Sequence, residues 1–180
     1  MTKRIIRGYE KELQNLRRGK IRDGTWIDAG CGQGAYTIPL ATQVEKVYAI
    51  DQNKKAIQVL NSRLQQLEIT NVECTQASFN DIRQITEKNC QGVLFAFSLH
   101  YQENIEFLTE ILQEKETQEH FKIVIIEYMR TEPVYWVPNP CPPEKVINKI
   151  PKNGSYRLEI NYQNDRYYIL TMYKENKRIT

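Results

Sequence analysis

The chain lacks several things that would place it quickly. In 180 residues no stretch approaches the ~20 consecutive apolar residues of a membrane span. The N-terminus, Met1 to Arg7, is charged and leads into no apolar signal core. No membrane association is therefore expected, and the reading is a cytoplasmic protein. The four cysteines, Cys31, Cys74, Cys90 and Cys141, lie far apart without metal-ligand spacing. They read as reduced thiols, three of them in or near the core, and no metal is expected. Histidine is scarce, with only His100 and His120. The length suits one domain, 1–180, with a basic N-terminal helix within 1–24 and a core over 25–180.

Charge is present but unevenly placed. Residues 1–24 carry eight Lys or Arg against three acidic residues, in a chain whose net charge is only +3. A basic arm on a neutral body can meet a phosphate-rich partner, and residues 3–22 are the candidate RNA contact. The plainer reading is a solvated helix face. Ile5/Ile6, Tyr9, Leu13 and Leu16 recur at helical spacing, so a helix is predicted over about 3–18, ended by Gly19. Tyr9 is either a lid residue or part of the buried stripe.

The rest of the chain is organised around Thr25-Trp26-Ile27-Asp28-Ala29-Gly30-Cys31-Gly32-Gln33-Gly34-Ala35. A short buried strand ends in a glycine-rich turn, and a helical pattern starts near Tyr36. Thr37 is the expected cap, with Pro39 in the first turn. Strand, glycine turn and helix in that order open a parallel α/β sheet. Gly30, Gly32 and Ala35 formally satisfy a dinucleotide fingerprint, G-x-G-x-x-G/A. Asp28 argues against that cofactor, because a carboxylate beside a pyrophosphate is repelled. Beside an ammonium group it is attracted. Cys31 within the turn reads as a small filler rather than a nucleophile.

Asp28-Ala29-Gly30-Cys31-Gly32-Gln33-Gly34 resembles motif I of the class I S-adenosylmethionine-dependent methyltransferases. The resemblance implies that S-adenosyl-L-methionine is the cofactor. Asp28, directly or through water, and the backbone of Gly30, Cys31, Gly32 and Gly34 would hold its methionine portion. Lys46 to Ile50 reads as the second strand, ended by Asp51 about 20 residues past the turn, where a carboxylate accepts ribose hydroxyls. Gln52 follows it in the same site, and Asn53 is the alternative cap of the next helix. After a third strand, 71–76, Ser78 aligns with the position that commonly holds an adenine-binding acid. Asp81 is the substitute if the turn is longer. Phe79 either stacks on the adenine or plugs the sheet edge.

Gly92 to Phe97 is a continuous apolar run, hence a central strand buried on both faces. Ser98-Leu99-His100-Tyr101 follows at the carboxyl edge, where open α/β sheets bind ligands. It resembles the motif IV turn of small-molecule methyltransferases and lacks the Asn-Pro-Pro-Tyr/Phe of amino-methylating nucleic-acid enzymes. Ser98 is assigned to the cofactor. His100 is assigned as general base for a hydroxyl or amine acceptor, and Tyr101, Glu127 and Tyr128 at the same edge as groups that orient the acceptor, with Tyr101 and Tyr128 counted as catalytic. Residues 128–143, rich in proline with Tyr135 and Trp136, form either a substrate-side wall or an ordinary crossover. A terminal β-hairpin, 156–174, turns at Gln163 to Asp165.

The expected fold is thus a Rossmann-like, doubly wound, seven-stranded and mostly parallel sheet with a C-terminal antiparallel hairpin. The expected activity is transfer of a methyl group to a small-molecule acceptor. The alternatives are an RNA methyltransferase using the basic helix, or a module that binds S-adenosylmethionine without turnover. A nicotinamide-dependent oxidoreductase is disfavoured by Asp28 and by the hairpin.

Overall fold

In the computed structural model the described residues are 7–86, 89–115, 118, 120–150 and 156–174. Seven strands form one sheet in the order β3-β2-β1-β4-β5-β7-β6. The strands are β1 (Thr25–Ala29), β2 (Lys46–Asp51), β3 (Val72–Gln76), β4 (Gly92–Ala96), β5 (Lys122–Tyr128), β6 (Tyr156–Gln163) and β7 (Tyr167–Lys174). β3 to β5 in that row are parallel, and β7 enters antiparallel between β5 and β6. The order reverses between β1 and β4. Their carboxyl ends diverge there and leave a crevice, the standard ligand position of such sheets.

Helices cover both faces. α1 (Glu10–Arg18), α2 (Thr37–Ala41) and α3 (Lys54–Gln66) lie on one side, where Leu16, Ile38, Leu40, Ile57 and Leu60 pack on Trp26, Val47 and Val124. α4 (Ile82–Thr86), α5 (Phe107–Glu114) and α6 (Pro143–Ile147) lie on the other, where Ile82, Leu108, Ile111 and Val146 pack on Ile27, Val93 and Ile125. Burial on both faces explains the unbroken apolar runs of β4 and β5. It also overrides the in–out alternation expected of the hairpin. β7 is an interior strand, and Tyr167 through Met172 are all buried.

The N-terminal helix is shorter than its periodicity predicts. Gly8 at φ +102° turns the chain, and α1 begins at Glu10; residues 1–6 lie outside the described residues. Part of its positive charge is spent within the fold. The Lys11 ammonium sits over the Tyr167 ring at 5.3 Å and the Arg18 guanidinium over Tyr162 at 3.6 Å, while Lys20 pairs with Glu159. These contacts fasten α1 and its exit to the terminal hairpin. Tyr9 joins the packed face. Its hydroxyl accepts from Arg63 Nη2 at 2.6 Å, while Arg63 Nη1 donates to the Gln33 carbonyl at 2.6 Å. One arginine of α3 thereby ties the N-terminal segment to the glycine turn.

Candidate active site

A cavity of about 710 Å³ opens at the carboxyl ends of β1, β2 and β4. Its floor is the glycine turn. Gly30 N and Cys31 N both donate to the Ile50 carbonyl, at 2.9 and 3.0 Å, and Gly34 N donates to the Cys31 carbonyl at 2.9 Å. Two glycines carry the shape. Gly30, at φ +76°, lies so close to Ser98 that a Cβ would come within 2.5 Å of the Ser98 Cβ. Gly32, at φ +53°, has nothing within 4 Å of its Cβ position. The first glycine permits close packing of β1 against the β4 turn. The second leaves backbone open to a ligand.

Asp51 ends β2 with its carboxylate already oriented. Oδ2 accepts from Gly32 N and Oδ1 from Asn53 N, each at 2.8 Å. Each oxygen retains further accepting capacity, so the group faces the cavity as an acceptor. Capping of α3 falls instead to Asn53, whose Oδ1 accepts from Lys55 N and Ala56 N. On the far side, Ser78 and Asp81 close a capping box. Asp81 Oδ2 accepts from Ser78 N at 2.7 Å and from Ser78 Oγ at 2.8 Å. These bonds hold the Asp81 carboxyl below its ordinary pKa, and they occupy it within the turn. Phe79 lines the cavity and packs edge-on against Phe95 at 5.4 Å.

Asp28 is 1% exposed and does not line the cavity. Thr37 does not cap α2; its hydroxyl instead donates to Asp28 Oδ2 at 2.6 Å. Burial pushes the Asp28 carboxyl up from 3.8 to about 7, opposed by the Thr37 bond and reinforced by the charge of Asp51. Oδ1 has no protein partner. Among the described residues no fully buried side-chain oxygen or nitrogen lacks one, so Oδ1 retains some accessible surface. Gly34 also stands outside the wall. At φ +89°, its missing Cβ makes room for Leu60 Cδ1, which would lie 2.4 Å away.

The β4 edge holds a second group of residues. Ser98 Oγ donates to the Ala29 carbonyl at 2.8 Å, locking the turn after β4 onto β1. His100 is 2% exposed, and its Nδ1 lies 3.0 Å from both carboxylate oxygens of Glu127, itself 1% exposed. A carboxylate only accepts, so Nδ1 carries the proton of this bond. Glu127 also accepts from His100 N at 3.3 Å and from Tyr128 N at 2.8 Å. Glu127 is thus bonded to the ring and backbone of His100 and to the backbone of Tyr128. His100 Nε2 has no partner among the described residues, and it is likewise not fully buried. Tyr101 lines the cavity, whereas His100 and Tyr128 stand behind it, in ring contact at 4.2 and 5.4 Å from centroid to centroid.

A family model described as "Methyltransferase domain" matches residues 22–172. The chain belongs to the class I S-adenosylmethionine-dependent methyltransferase family. A protein of Methanocaldococcus jannaschii named "probable cobalt-precorrin-6B C(15)-methyltransferase (decarboxylating)" is 31% identical over 109 residues, 59% of this chain. The aligned region spans 56% of that relative's length. An S-adenosylmethionine-dependent methyltransferase of Aquifex aeolicus superposes with a TM-score of 0.67 at 19% identity, covering 96% of this chain and 98% of the other. An rRNA methylase of Streptococcus thermophilus does so with a TM-score of 0.65 at 16% identity, covering 91% and 95%. The two structural likenesses speak for the fold.

The cofactor of this methyltransferase family, S-adenosylmethionine, fits the cavity on three observations. The volume lies within the range of about 300–1,000 Å³ typical of small-molecule sites. The open Cβ position at Gly32 exposes backbone on its floor, and Asp51 presents an acceptor above it. Of the residues predicted for the cofactor, Gly30, Cys31, Gly32, Asp51, Gln52, Ser78, Phe79 and Ser98 line this one cavity. Sequence reasoning missed Phe97, which also lines it. Phe97 is a non-glycine residue at φ +52°. Such a conformation costs about 1–3 kcal/mol and is concentrated at functional sites. Nothing in the apolar run Gly92 to Phe97 signals it, because the strain arises where the strand ends and turns.

Proposed function

We propose that this methyltransferase-family chain transfers a methyl group to a small-molecule acceptor and that His100 removes the acceptor's proton. The observation that carries this reading is the buried His100–Glu127 pair beside the cavity, with Nδ1 fixed at 3.0 Å and Nε2 free of protein partners. Glu127 sets the tautomer, so Nε2 is the lone-pair nitrogen available to take a proton.

On this reading Asp51 accepts the ribose hydroxyls, the backbone of Gly30 to Gly32 meets the methionine portion, and the Ser78–Asn80 turn flanks the base. Asp28 attracts the ammonium group through its unpartnered Oδ1. S-adenosylmethionine supplies an electrophilic methyl on a sulfonium, so displacement needs little covalent help from the protein. What the chain adds is positioning, exclusion of water and a place for the proton. Ser98 and Gly30 fix the β4 turn against β1, which sets His100 at a defined position relative to the cavity.

Two observations favour a small acceptor over RNA. Lys11, Arg18 and Lys20 of the basic arm are engaged with Tyr167, Tyr162 and Glu159 within the fold. The Methanocaldococcus relative also carries a small-molecule substrate in its name. The test uses methyl-labelled S-adenosylmethionine with a cell extract separated into small molecules, RNA and protein. Label is expected in the small-molecule fraction, and His100→Gln should lower the rate by about 100-fold or more with cofactor affinity unchanged. Label recovered in RNA would refute the acceptor class, and an unchanged rate in His100→Gln would refute the base.

A further inference from the structure

We propose, resting on the methyltransferase reading above, that the rings at the ends of β4 and β5 form an acceptor subsite for a flat conjugated ring carrying an acidic O–H or N–H. Four rings are contiguous there. Phe97 and Tyr128 lie 4.6 Å apart between centroids, His100 and Tyr128 5.4 Å, and His100 and Tyr101 4.2 Å. Their planes are inclined at 45°, 54° and 45°, so none is stacked face to face on its neighbour. Exposure rises outward, from buried His100 through half-buried Phe97 and Tyr128 to Tyr101 at 59%.

The aromatic edge continues beyond them. Asn139 donates to the His100 carbonyl from its backbone N–H at 3.0 Å and from Nδ2 at 3.3 Å. Asn139 follows the tight Val134–Val137 turn, whose tip exposes Tyr135 at 98% and Trp136 at 60%. Among the described residues, the aromatic members of the exposed large hydrophobics are Tyr101, Tyr135 and Trp136. All three lie in the segments that follow β4 and β5. Aromatic surface gathered at one edge serves binding, since a core would bury it.

The chemistry of this edge selects its ligand. The carboxylate within this group, Glu127, is buried and committed to the His100 ring and the Tyr128 backbone N–H. What remains for a ligand is ring faces, one imidazole nitrogen and the Tyr101 and Tyr128 hydroxyls, which suits a flat ring with a proton to lose. Nucleobases also stack on such rings, but a single strand needs a cationic groove along its phosphates.

The experiment begins with a thermal shift by S-adenosylhomocysteine. Without a shift the cofactor reading fails before the subsite is reached; with one, the remaining arms test the subsite alone. Equilibrium dialysis of the S-adenosylhomocysteine-saturated protein then compares 2-naphthol, which is flat and acidic, with 2-decalol, which is puckered and similar in size. Single-stranded decauridylate is the third ligand. Saturable binding of 2-naphthol is expected, about tenfold tighter than 2-decalol. Tyr101→Ala should weaken it by about tenfold, the loss typical of removing one stacking ring, and Tyr101→Phe by much less. Equal binding of the two alcohols, absence of 2-naphthol binding, or an unchanged Tyr101→Ala would each overturn the proposal. Tighter binding of decauridylate would overturn it in favour of a nucleic-acid acceptor.

Discussion

Replacing Asp28 with Asn should stabilise the protein while removing its hold on the cofactor. In the folded chain burial raises the Asp28 carboxyl from 3.8 to about 7, so the ionised form is unfavourable there relative to the unfolded chain. The interval corresponds to on the order of 4 kcal/mol favouring the neutral acid. For a raised carboxyl the folded state binds the proton more tightly. Its contribution is therefore fully present below pH 3.8 and is lost as pH rises through about 7. An Asn carbonyl can still accept the Thr37 hydroxyl, and it carries no charge to desolvate. Urea unfolding of the two proteins should give similar stability near pH 4. The variant's advantage should then grow to on the order of 4 kcal/mol at pH 8, with m unchanged. The functional half of the reasoning is read by calorimetry in buffers of different ionisation enthalpy. If Oδ1 meets an ammonium, S-adenosylmethionine binding at pH 6 must expel close to one proton from Asp28, and none from the Asn variant. A variant that is no more stable at pH 8, together with binding that releases no proton, would refute both the burial argument and the assigned role.

The other expectations concern the cavity floor and the strained strand end. Asp51→Ala should abolish the thermal shift by S-adenosylhomocysteine, since it removes the proposed ribose acceptor and frees the Gly32 and Asn53 amides; an undiminished shift would place the nucleoside elsewhere. Gly30→Ala and Gly32→Ala should separate structure from ligand. Both pay the positive-φ cost of about 1–2 kcal/mol, but only at Gly30 does the new Cβ also strike Ser98, so its melting temperature should fall further. Gly32→Ala should keep most of its stability and lose cofactor affinity, and unimpaired binding by that variant would mean that the open position faces only solvent. Phe97→Gly should melt above Phe97→Ala by the equivalent of about 1 kcal/mol, because the two lose the same ring and differ only in tolerance of φ +52°. Equal melting temperatures would show that the backbone relaxes without cost.

The parts of this fold that were legible in the sequence are those set by local pattern. The strand–glycine–helix unit, Asp51 at the end of β2 and the terminal hairpin each follow from spacing and turn chemistry over a few residues. Cavity membership followed for the same reason, since residues at carboxyl strand ends are brought together by topology alone. Contacts between distant segments were not legible. Thr37 reads as a helix cap because hydroxyl residues cap helices, yet its partner is Asp28, nine residues earlier and brought near by the glycine turn. Asp81 is different: its bonds to the Ser78 amide and hydroxyl are local, and the Ser-x-x-Asp spacing of a capping box was the signal for them.

Glu127 carries the same lesson into the chemistry. From sequence it is one more polar residue closing an apolar strand, and an acceptor contact was its natural assignment. In the fold β4 and β5 run parallel in adjacent register, so the residues that follow Ala96 on one strand meet those that follow Ile126 on the other. That juxtaposition sets His100 against Glu127 at 3.0 Å, with both nearly inaccessible. Leaving either partner unpaired in such a place would cost several kcal/mol, so the pair persists as a unit or not at all. His100 Nδ1 is committed to Glu127, while Nε2 has no partner among the described residues and keeps some accessible surface, so one ring nitrogen stays open to a ligand. Phe97, at φ +52°, lies in the turn that places Tyr101 on the cavity wall and His100 behind it. The open nitrogen and the positive φ fall at one strand end. The acceptor's chemistry is therefore to be sought at that edge.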